Sequence, residues 1–568
     1  MQLRLRGVVM PLALALTALV AGACGGGGSS GTTSAPAGTG GGASTVDQSR
    51  TPVAAATGYT PADKAQQVLR VSFTAQPVFL DPHKSQFAQD IAMERMMWRP
   101  LFWVDEQGAA VPSVAKEMPT QQNGGISADG KTWKITLKDG QKFSDGSALT
   151  AKDFEYSIKR ALNPKLASPY ADELGNVIGA REFNRAKDAS GADLDRLRDA
   201  VGVKALDDKT LEVRLVQPQP TLSLVLGLWI AYPVKQSIVE QGGDAIENTK
   251  WAATVGRAVG NGPFVLKEAK EKDRYIFEAN PNYTLDPKPK LSRLEFRIVE
   301  DEETGFNAFQ TNEVDYAAVP TSKISLVDGD AQLKKLNLRA TDPTVFWLQM
   351  QNQVKPLDNP KVRLALAKAI NRDDFVKVVL GGVGEPTTLL MHTSTPGQKP
   401  TDGDALKFDP ARAKQLLTEA GYPNGQGFPQ LTYLSNQSTI NKAAAEFIQK
   451  QFKDNLNIDI KLEIVDSQTR SSRYSNSQFE LTLGGWHEDY HDPENWLPVL
   501  FRTGGTNNQL KYSNKQFDDL IDQAKFEPNT EKRYALYQQA SKIALDDAAP
   551  ARSTSACVTP WCGTRCAV

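Results

Sequence analysis

"KTWKITLKDGQKFSDGSALTAKDFEYSIKRAL" (Lys131–Leu162) carries both of the periodicities on which this chain is built. Trp133, Ile135 and Leu137 alternate with polar residues, the pattern of a half-buried strand. Asp139-Gly140 and Asp145-Gly146 are turn dipeptides, so the stretch reads strand, turn, strand. Thr150 then stands where a helix starts, with Asp153 in the first turn ahead of an apolar run. Strand and helix signals side by side point to an α/β class.

The same two signals recur on either side. "VLRVSFTAQPVFLDP" (Val68–Pro82) opens as an alternating strand and turns at Asp81-Pro82, and "KTLEVRLVQP" and "YIFEANPNY" add strands. "NPKVRLALAKAINRDDFVKVVL" (Asn359–Leu380) reads as one helix with Pro360 in its first turn and Val362, Leu366 and Ile370 on one face. "DPARAKQLLTEAGY" (Asp409–Tyr422) is a second helix closed by Gly421, and "TINKAAAEFIQKQFKD" a third, followed by the strand "NIDIKLEIVD". Strands and helices mix without regular alternation.

The chain has 568 residues, a net charge of −1 and 40% hydrophobic residues, enough for two or three lobes with their own cores. The balanced charge argues against a nucleic-acid binder, which needs a concentrated basic patch. "MQLRLRGVVMPLALALTALVAGAC" has Arg4 and Arg6, an apolar stretch from Val8 to Val20, and small residues before Cys24. This is an export signal, too short for a comfortable membrane span. Its ending resembles a bacterial lipobox with Cys24 as the lipidated residue, although Ala21 replaces the usual Leu or β-branched residue; ordinary secretion with cleavage near Ala23 is the alternative. The Gly/Ser/Thr-rich run from Gly25 to Thr45 cannot bury enough apolar surface to fold and reads as a tether. Both features place the protein outside the cytoplasm. Cys557, Cys562 and Cys566 crowd the tail with no His nearby, a poor zinc site.

Several phrases, taken in order, resemble the extracytoplasmic solute-binding proteins of family 5, which serve peptide and nickel ABC importers. They are "FLDPH" (Phe79–His83), "WKITLKDGQKFSDGSALTAKDFEYSIKRALNP" (Trp133–Pro164), "GVKALDDKTLEVRL", "GNGPFVLKE" (Gly260–Glu268), "NPNY", "LDNPKVRLALAKAINRDDF", "LLTEAGYP" and "GGWHEDYHDPENW" (Gly484–Trp496). "LASPYADEL" makes the oligopeptide-binding branch the nearest likeness. The resemblance implies a two-lobe periplasmic-binding-protein clamshell (type II, cluster C) with an extra subdomain inserted in lobe one. Boundaries expected from it are a signal peptide at 1–23, a tether at 24–65, lobe one at 66–98 and 233–285, the subdomain at 99–232, lobe two at 286–549 and an atypical tail at 550–568. It further implies peptide capture by hinge closure, delivery to an ABC permease with its ATPase subunits, a lipid anchor, a monomer, no cofactor and no catalysis. A non-peptide ligand such as a nickel chelate, a sugar or a signalling molecule is the alternative.

A free peptide offers an ammonium, a carboxylate and a repeating main chain. In the family's "GW-x-x-D" phrase the Asp holds the ammonium by a charge-assisted bond, and Asp489 stands at that place; a simple turn aspartate is the other reading. Gly485, Trp486 and His487 match the segment that pairs with the peptide main chain. Small Gly484 and Gly485 suit close approach or a tight strand end, and Trp486 is equally a core aromatic. Gln86, Phe87 and Ala88 fall where the other pairing strand would lie. Tyr170 and Asn261 match positions near the ligand, against a packed ring and a turn residue. Some relatives carry an Arg two residues before the "GW" Gly to meet the ligand carboxylate. Leu483 stands there, leaving Arg470 and Arg473 as candidates.

His487-Glu488-Asp489-Tyr490-His491 is also H-E-x-x-H, which binds zinc only when a helix puts both imidazoles on one face. The preceding strand-like "FELTL" and the nearby Pro493 argue against such a helix, and neither a G-x-S-x-G elbow nor a Cys in the body offers another nucleophile. In the family, the helix "EKRYALYQQASKIALDDAA" is followed by a hydrophobic strand and a return into lobe one. "PARSTSACVTPWCGTRCAV" has no such pattern, as a coding sequence frameshifted or replaced near Pro550 would explain; a divergent natural terminus is the other reading.

Overall fold

The helix announced by Thr150 is present, and its cap shows why. The Thr150 main-chain N–H donates to Asp153 Oδ2 at 2.8 Å and its hydroxyl to the same oxygen at 2.9 Å, tying the first turn together. Helix Ala151–Ala161 buries Phe154, Ile158 and Ala161 against a three-stranded antiparallel sheet of Thr132–Thr136, Thr210–Arg214 and Val203–Ala205. This is the body of the inserted subdomain. The computed structural model describes residues 67–105, 108–241, 246–340, 343–505, 507–556 and 559–563. The signal peptide, the tether and Cys24 lie outside the described residues.

Two larger sheets organise the lobes. The first has seven strands in the order Asn337–Ala340, Thr559–Gly563, Tyr316–Ala318, Val68–Phe73, Arg293–Ile298, Arg274–Ala279 and Phe264–Lys270. Val68–Phe73 is parallel to both of its neighbours, so its connections to them are long crossovers. The second sheet has five strands: Lys461–Val465, Thr432–Asn436, Leu481–His487, Thr344–Met350 and Ala551–Ala556. One buried core runs from the first sheet into the subdomain without interruption, and a separate core serves the second sheet and its helices.

Three expectations need correction. Lobe two does not begin at 286: Arg293–Ile298, Tyr316–Ala318 and Asn337–Ala340 belong to the first sheet, and the second begins with Thr344–Met350. The stretch 359–380 is two helices, Pro360–Lys368 and Arg372–Val379. Asn371 breaks it by accepting the Asp374 main-chain N–H, as an N-cap does. The tail also forms strands where its composition gave no sign of them. Ala551–Ala556 pairs antiparallel with Thr344–Met350, and Thr559–Gly563 lies between Tyr316–Ala318 and Asn337–Ala340. Main-chain hydrogen bonds make such a ladder without a hydrophobic alternation.

The "FLDPH" phrase joins lobe one to the subdomain. Asp81 accepts from Arg160 Nη1 at 2.9 Å and Nη2 at 2.5 Å, and neither side chain is exposed at all. Arg160 Nη1 also donates to His83 Nδ1 at 3.0 Å, which puts the imidazole proton on Nε2, 3.0 Å from the Tyr232 carbonyl. Burial first, then the Arg160 charge, push the His83 pKa down to about 4, so the ring is neutral.

Candidate functional site

The strand Leu481–His487 pairs along its whole length with Thr344–Met350 on one side. On its other side Thr432–Asn436 reaches only Leu481 and Thr482. Gly484, Gly485 and Trp486 therefore sit on a strand edge with no neighbouring strand among the described residues, the arrangement a ligand's main chain can complete. The two glycines have a packing cause as well. A Cβ on Gly485 would stand 2.7 Å from the Phe346 ring, and one on Gly484 would overlap the Gln349 carboxamide. Gly485 and His487 are exposed and Trp486 is half-buried. The His487 ring lies with Nδ1 3.1 Å from Thr344 Oγ1.

Beyond the strand end the chain turns and delivers Asp489. Asn495, wholly buried, orients it: the Asn495 amide donates to Asp489 Oδ2 at 3.0 Å, while its Oδ1 accepts the Asp489 main-chain N–H at 2.8 Å and the Trp486 indole N–H at 3.1 Å. From the subdomain, the Tyr170 hydroxyl donates to Asp489 Oδ2 at 3.4 Å. The Tyr170 ring stacks on Trp486 with centroids 6.1 Å apart and meets Trp229 edge-on at 4.6 Å. Asp489 Oδ1 accepts nothing from the described residues, so one carboxylate oxygen is open to a ligand donor. Burial raises the Asp489 pKa, opposed by the Asn495 amide and by the charges of His487 and Arg95. Burial beside the Asp489 charge drives the Tyr170 hydroxyl far above its usual range, so it remains a donor.

Sequence reasoning missed Asn495, although it lies within the "HDPENW" phrase; its signal is an amide placed to bridge an indole, a main-chain N–H and a carboxylate. The zinc alternative fails on geometry. His487 ends a strand, and His491 Nδ1 lies 2.6 Å from Glu488 Oε1. Glu488 is itself buried and accepts from Thr395 at 2.9 Å and Trp496 at 3.2 Å. No group of three or more His, Cys, Asp or Glu side chains among the described residues is arranged for a metal.

In lobe one the candidates fare unevenly. Gln86 faces the cleft and donates to Ser475 of lobe two at 2.5 Å. Gln86 and Phe87 form a short connection rather than a strand, and Ala88 is the first residue of helix Ala88–Met97 with Phe87 as its N-cap. The expected second pairing strand is absent there, because the chain is already entering a helix. The Asn261 side chain is engaged with the main chain. Its Oδ1 accepts the Arg99 main-chain N–H at 2.9 Å and its amide donates to the Arg99 carbonyl at 3.0 Å, so both ends are engaged. It is the turn residue its neighbouring glycines suggested.

Helix Ser467–Ser475 forms the lobe-two wall, and both of its ends bond to lobe one, through Ser475 to Gln86 and through Ser467 to Glu300 Oε2 at 3.1 Å. Arg470 lies between these contacts. It donates to the Leu483 carbonyl and sits 5.2 Å from the Tyr474 ring centre, with no acidic partner among the described residues. Arg473 is paired with Glu463 at 2.8 Å. Further across the cleft, Thr221 and Gln219 of the subdomain donate to Glu494 at 2.5 and 3.3 Å. Hydrogen bonds therefore join the lobes at several points, which is a closed arrangement.

The sequence profile of the bacterial extracellular solute-binding proteins, family 5, matches residues 109–508. The chain belongs to that family. It is 30% identical over 485 residues to the periplasmic oligopeptide-binding protein OppA of Salmonella typhimurium, covering 83% of each chain. The structure of the Escherichia coli murein tripeptide binding protein MppA superposes with a TM-score of 0.79 at 26% identity, covering 87% of this chain and 93% of that one. Against a structure of MppA described as its unliganded open form, the TM-score falls to 0.59 at 27% identity, with 89% and 93% covered. The lobes of this family 5 protein are thus arranged unlike that open form, as their cross-cleft bonds require. Among the described residues no helix is long and apolar enough to cross a membrane.

Proposed function

We propose that the protein captures extracellular oligopeptides between its lobes and delivers them to an ABC permease and its ATPase subunits. The observation that carries this reading is Asp489: an oriented carboxylate with one open oxygen, beside a strand edge that lacks a neighbour. An ammonium held at Asp489 leaves the peptide main chain to extend along Gly484–Trp486. Such pairing is blind to sequence, as a general peptide binder requires. OppA and MppA, named for oligopeptides and a murein tripeptide, support the same ligand class.

Arg470 takes the carboxylate in this reading. It is a guanidinium on the cleft wall with no acidic partner among the described residues, and it contacts Leu483, the residue that stands where some relatives carry their Arg. Burial lowers its pKa from the usual arginine value, so an anion beside it would be welcome. The protein acts as a monomer, tethered to the outer face of the membrane by a lipid on Cys24, and needs no cofactor and performs no catalysis.

Titration calorimetry with a tripeptide, its N-acetyl form and its C-terminal amide tests the assignment. Wild type is expected to prefer the free peptide over both blocked forms. Arg470→Gln is expected to lose about tenfold for the free acid, the scale of a charge-assisted bond, and much less for the amide. Equal losses for acid and amide would remove Arg470 from this role, and no binding of any form would remove the peptide reading.

A further inference from the structure

A small interlobe pocket, open at its mouth, adjoins the Asp489 site, because Tyr170 forms part of its wall. Glu173 of the subdomain lines it from one side and Lys525 of lobe two from the other. Glu173 is 7% exposed, yet its carboxylate makes no hydrogen bond or ion pair with any described residue, and Oε2 is wholly buried without a partner. Buried polar groups in folded proteins are nearly always satisfied, so an unpartnered carboxylate in the lining of a pocket calls for a ligand or solvent partner.

The neighbouring charges say what kind. The ammonium of Lys525 is 3.6 Å from Glu494 Oε1, so it is already drawn to another carboxylate. Arg533 is paired with Asp492 and lies 3.8 Å from Glu494, and Arg502 is held by Asp522 at 2.9 Å. Glu173 and Glu494 thus share one lysine, which leaves the buried group one positive charge short. Arg181 and Arg185 also line the cavity, but Arg185 is exposed and Arg181 half-buried, where solvent screens them.

Resting on the peptide reading above, we infer that this cavity receives the side chain of the ligand's first residue and that Glu173 selects for a cationic one there, lysine or arginine. The placement follows from the anchor. An ammonium on Asp489 fixes the first Cα beside Tyr170, and the side chain it carries is the one nearest the Tyr170 wall of the cavity. Burial pushes the Glu173 carboxyl up to about 7 against the opposing pull of Lys525, and a ligand cation would return it to carboxylate.

Calorimetry with Lys-Ala-Ala, Ala-Ala-Ala, Glu-Ala-Ala and Ala-Lys-Ala tests this. Lys-Ala-Ala is expected to bind about tenfold more tightly than Ala-Ala-Ala, with Glu-Ala-Ala weakest, as a charge-assisted bond in a partly desolvated site implies. In Glu173→Gln the ratio of Lys-Ala-Ala to Ala-Ala-Ala affinity is expected to fall to near one, and binding of either peptide shows that the variant is folded. Equal affinity of these two peptides for wild type overturns the inference and leaves the peptide reading standing. So does a preference that survives in Glu173→Gln, or one that appears only with Ala-Lys-Ala. Failure of all four to bind removes both.

Discussion

Asp489→Asn is expected to weaken binding of a free peptide by roughly two orders of magnitude or more while the protein remains folded. The substitution keeps the shape and exchanges a charged acceptor for a neutral one. In the closed cleft the ligand's ammonium would then be buried without its counter-charge, and breaking a buried pair in this way costs about 3 kcal/mol or more. The Asn495 amide and the Tyr170 hydroxyl would still have an oxygen to donate to, so the turn itself is preserved. The loss belongs to the ammonium, and that can be shown directly. N-acetylation of the peptide should weaken binding to wild type by a similar factor and have little further effect on Asp489→Asn, because the two changes remove the same interaction. Additive losses would mean that Asp489 acts elsewhere. Affinity should also fall as the pH is lowered through the Asp489 pKa. Since burial raises that pKa, the decline should begin at a higher pH than for an exposed aspartate.

Arg160→Met is expected to give the largest loss of stability, about 3–5 kcal/mol, read as a shift of the urea midpoint. It leaves Asp81 fully buried with no cation in its place, since Lys84 is held by the Leu166 and Ala167 carbonyls at 2.8 Å. Adding Asp81→Asn should recover most of the loss, because the double variant no longer buries a charge. The pH dependence has a definite sign. In wild type the His83 pKa is lowered to about 4 from 6.5, so its contribution to stability is complete above pH 6.5 and is lost as the pH falls towards 4. Without the Arg160 charge His83 can take up a proton and pair with Asp81, so the gap between wild type and Arg160→Met should narrow over that same window. A gap of less than about 1 kcal/mol at neutral pH would contradict the role given to this pair.

Much of this was legible because the cues are local. Thr150 with Asp153, and Pro360 after Asn359, state where helices begin without reference to the rest of the chain. The lobe boundary was not legible, since Arg293–Ile298 owes its sheet to Val68–Phe73, a partner far earlier in sequence. The tail strands were hidden for a related reason: a main-chain ladder asks little of side chains. The fold brings together Asp489 and Tyr170, two residues singled out from separate phrases. Asn261 misled because an asparagine beside glycines suits a ligand or a main-chain loop equally well, and here it holds Arg99. Ala88 misled because the helix starts one residue earlier than a pairing strand would allow. Glu173 lies within the "LASPYADEL" phrase, but nothing in that phrase marked its carboxylate as buried and unpartnered. Lys525, which lines the same pocket, lies more than half the chain away in sequence.

Native mass spectrometry of the protein purified from its own cells tests the central claim most directly. The account predicts a closed, ligand-bound population whose released ligands are a mixture of short peptides with free amino termini, absent from Asp489→Asn prepared in the same way. A single metal complex, a glycan or another non-peptide species retained by both proteins would contradict it.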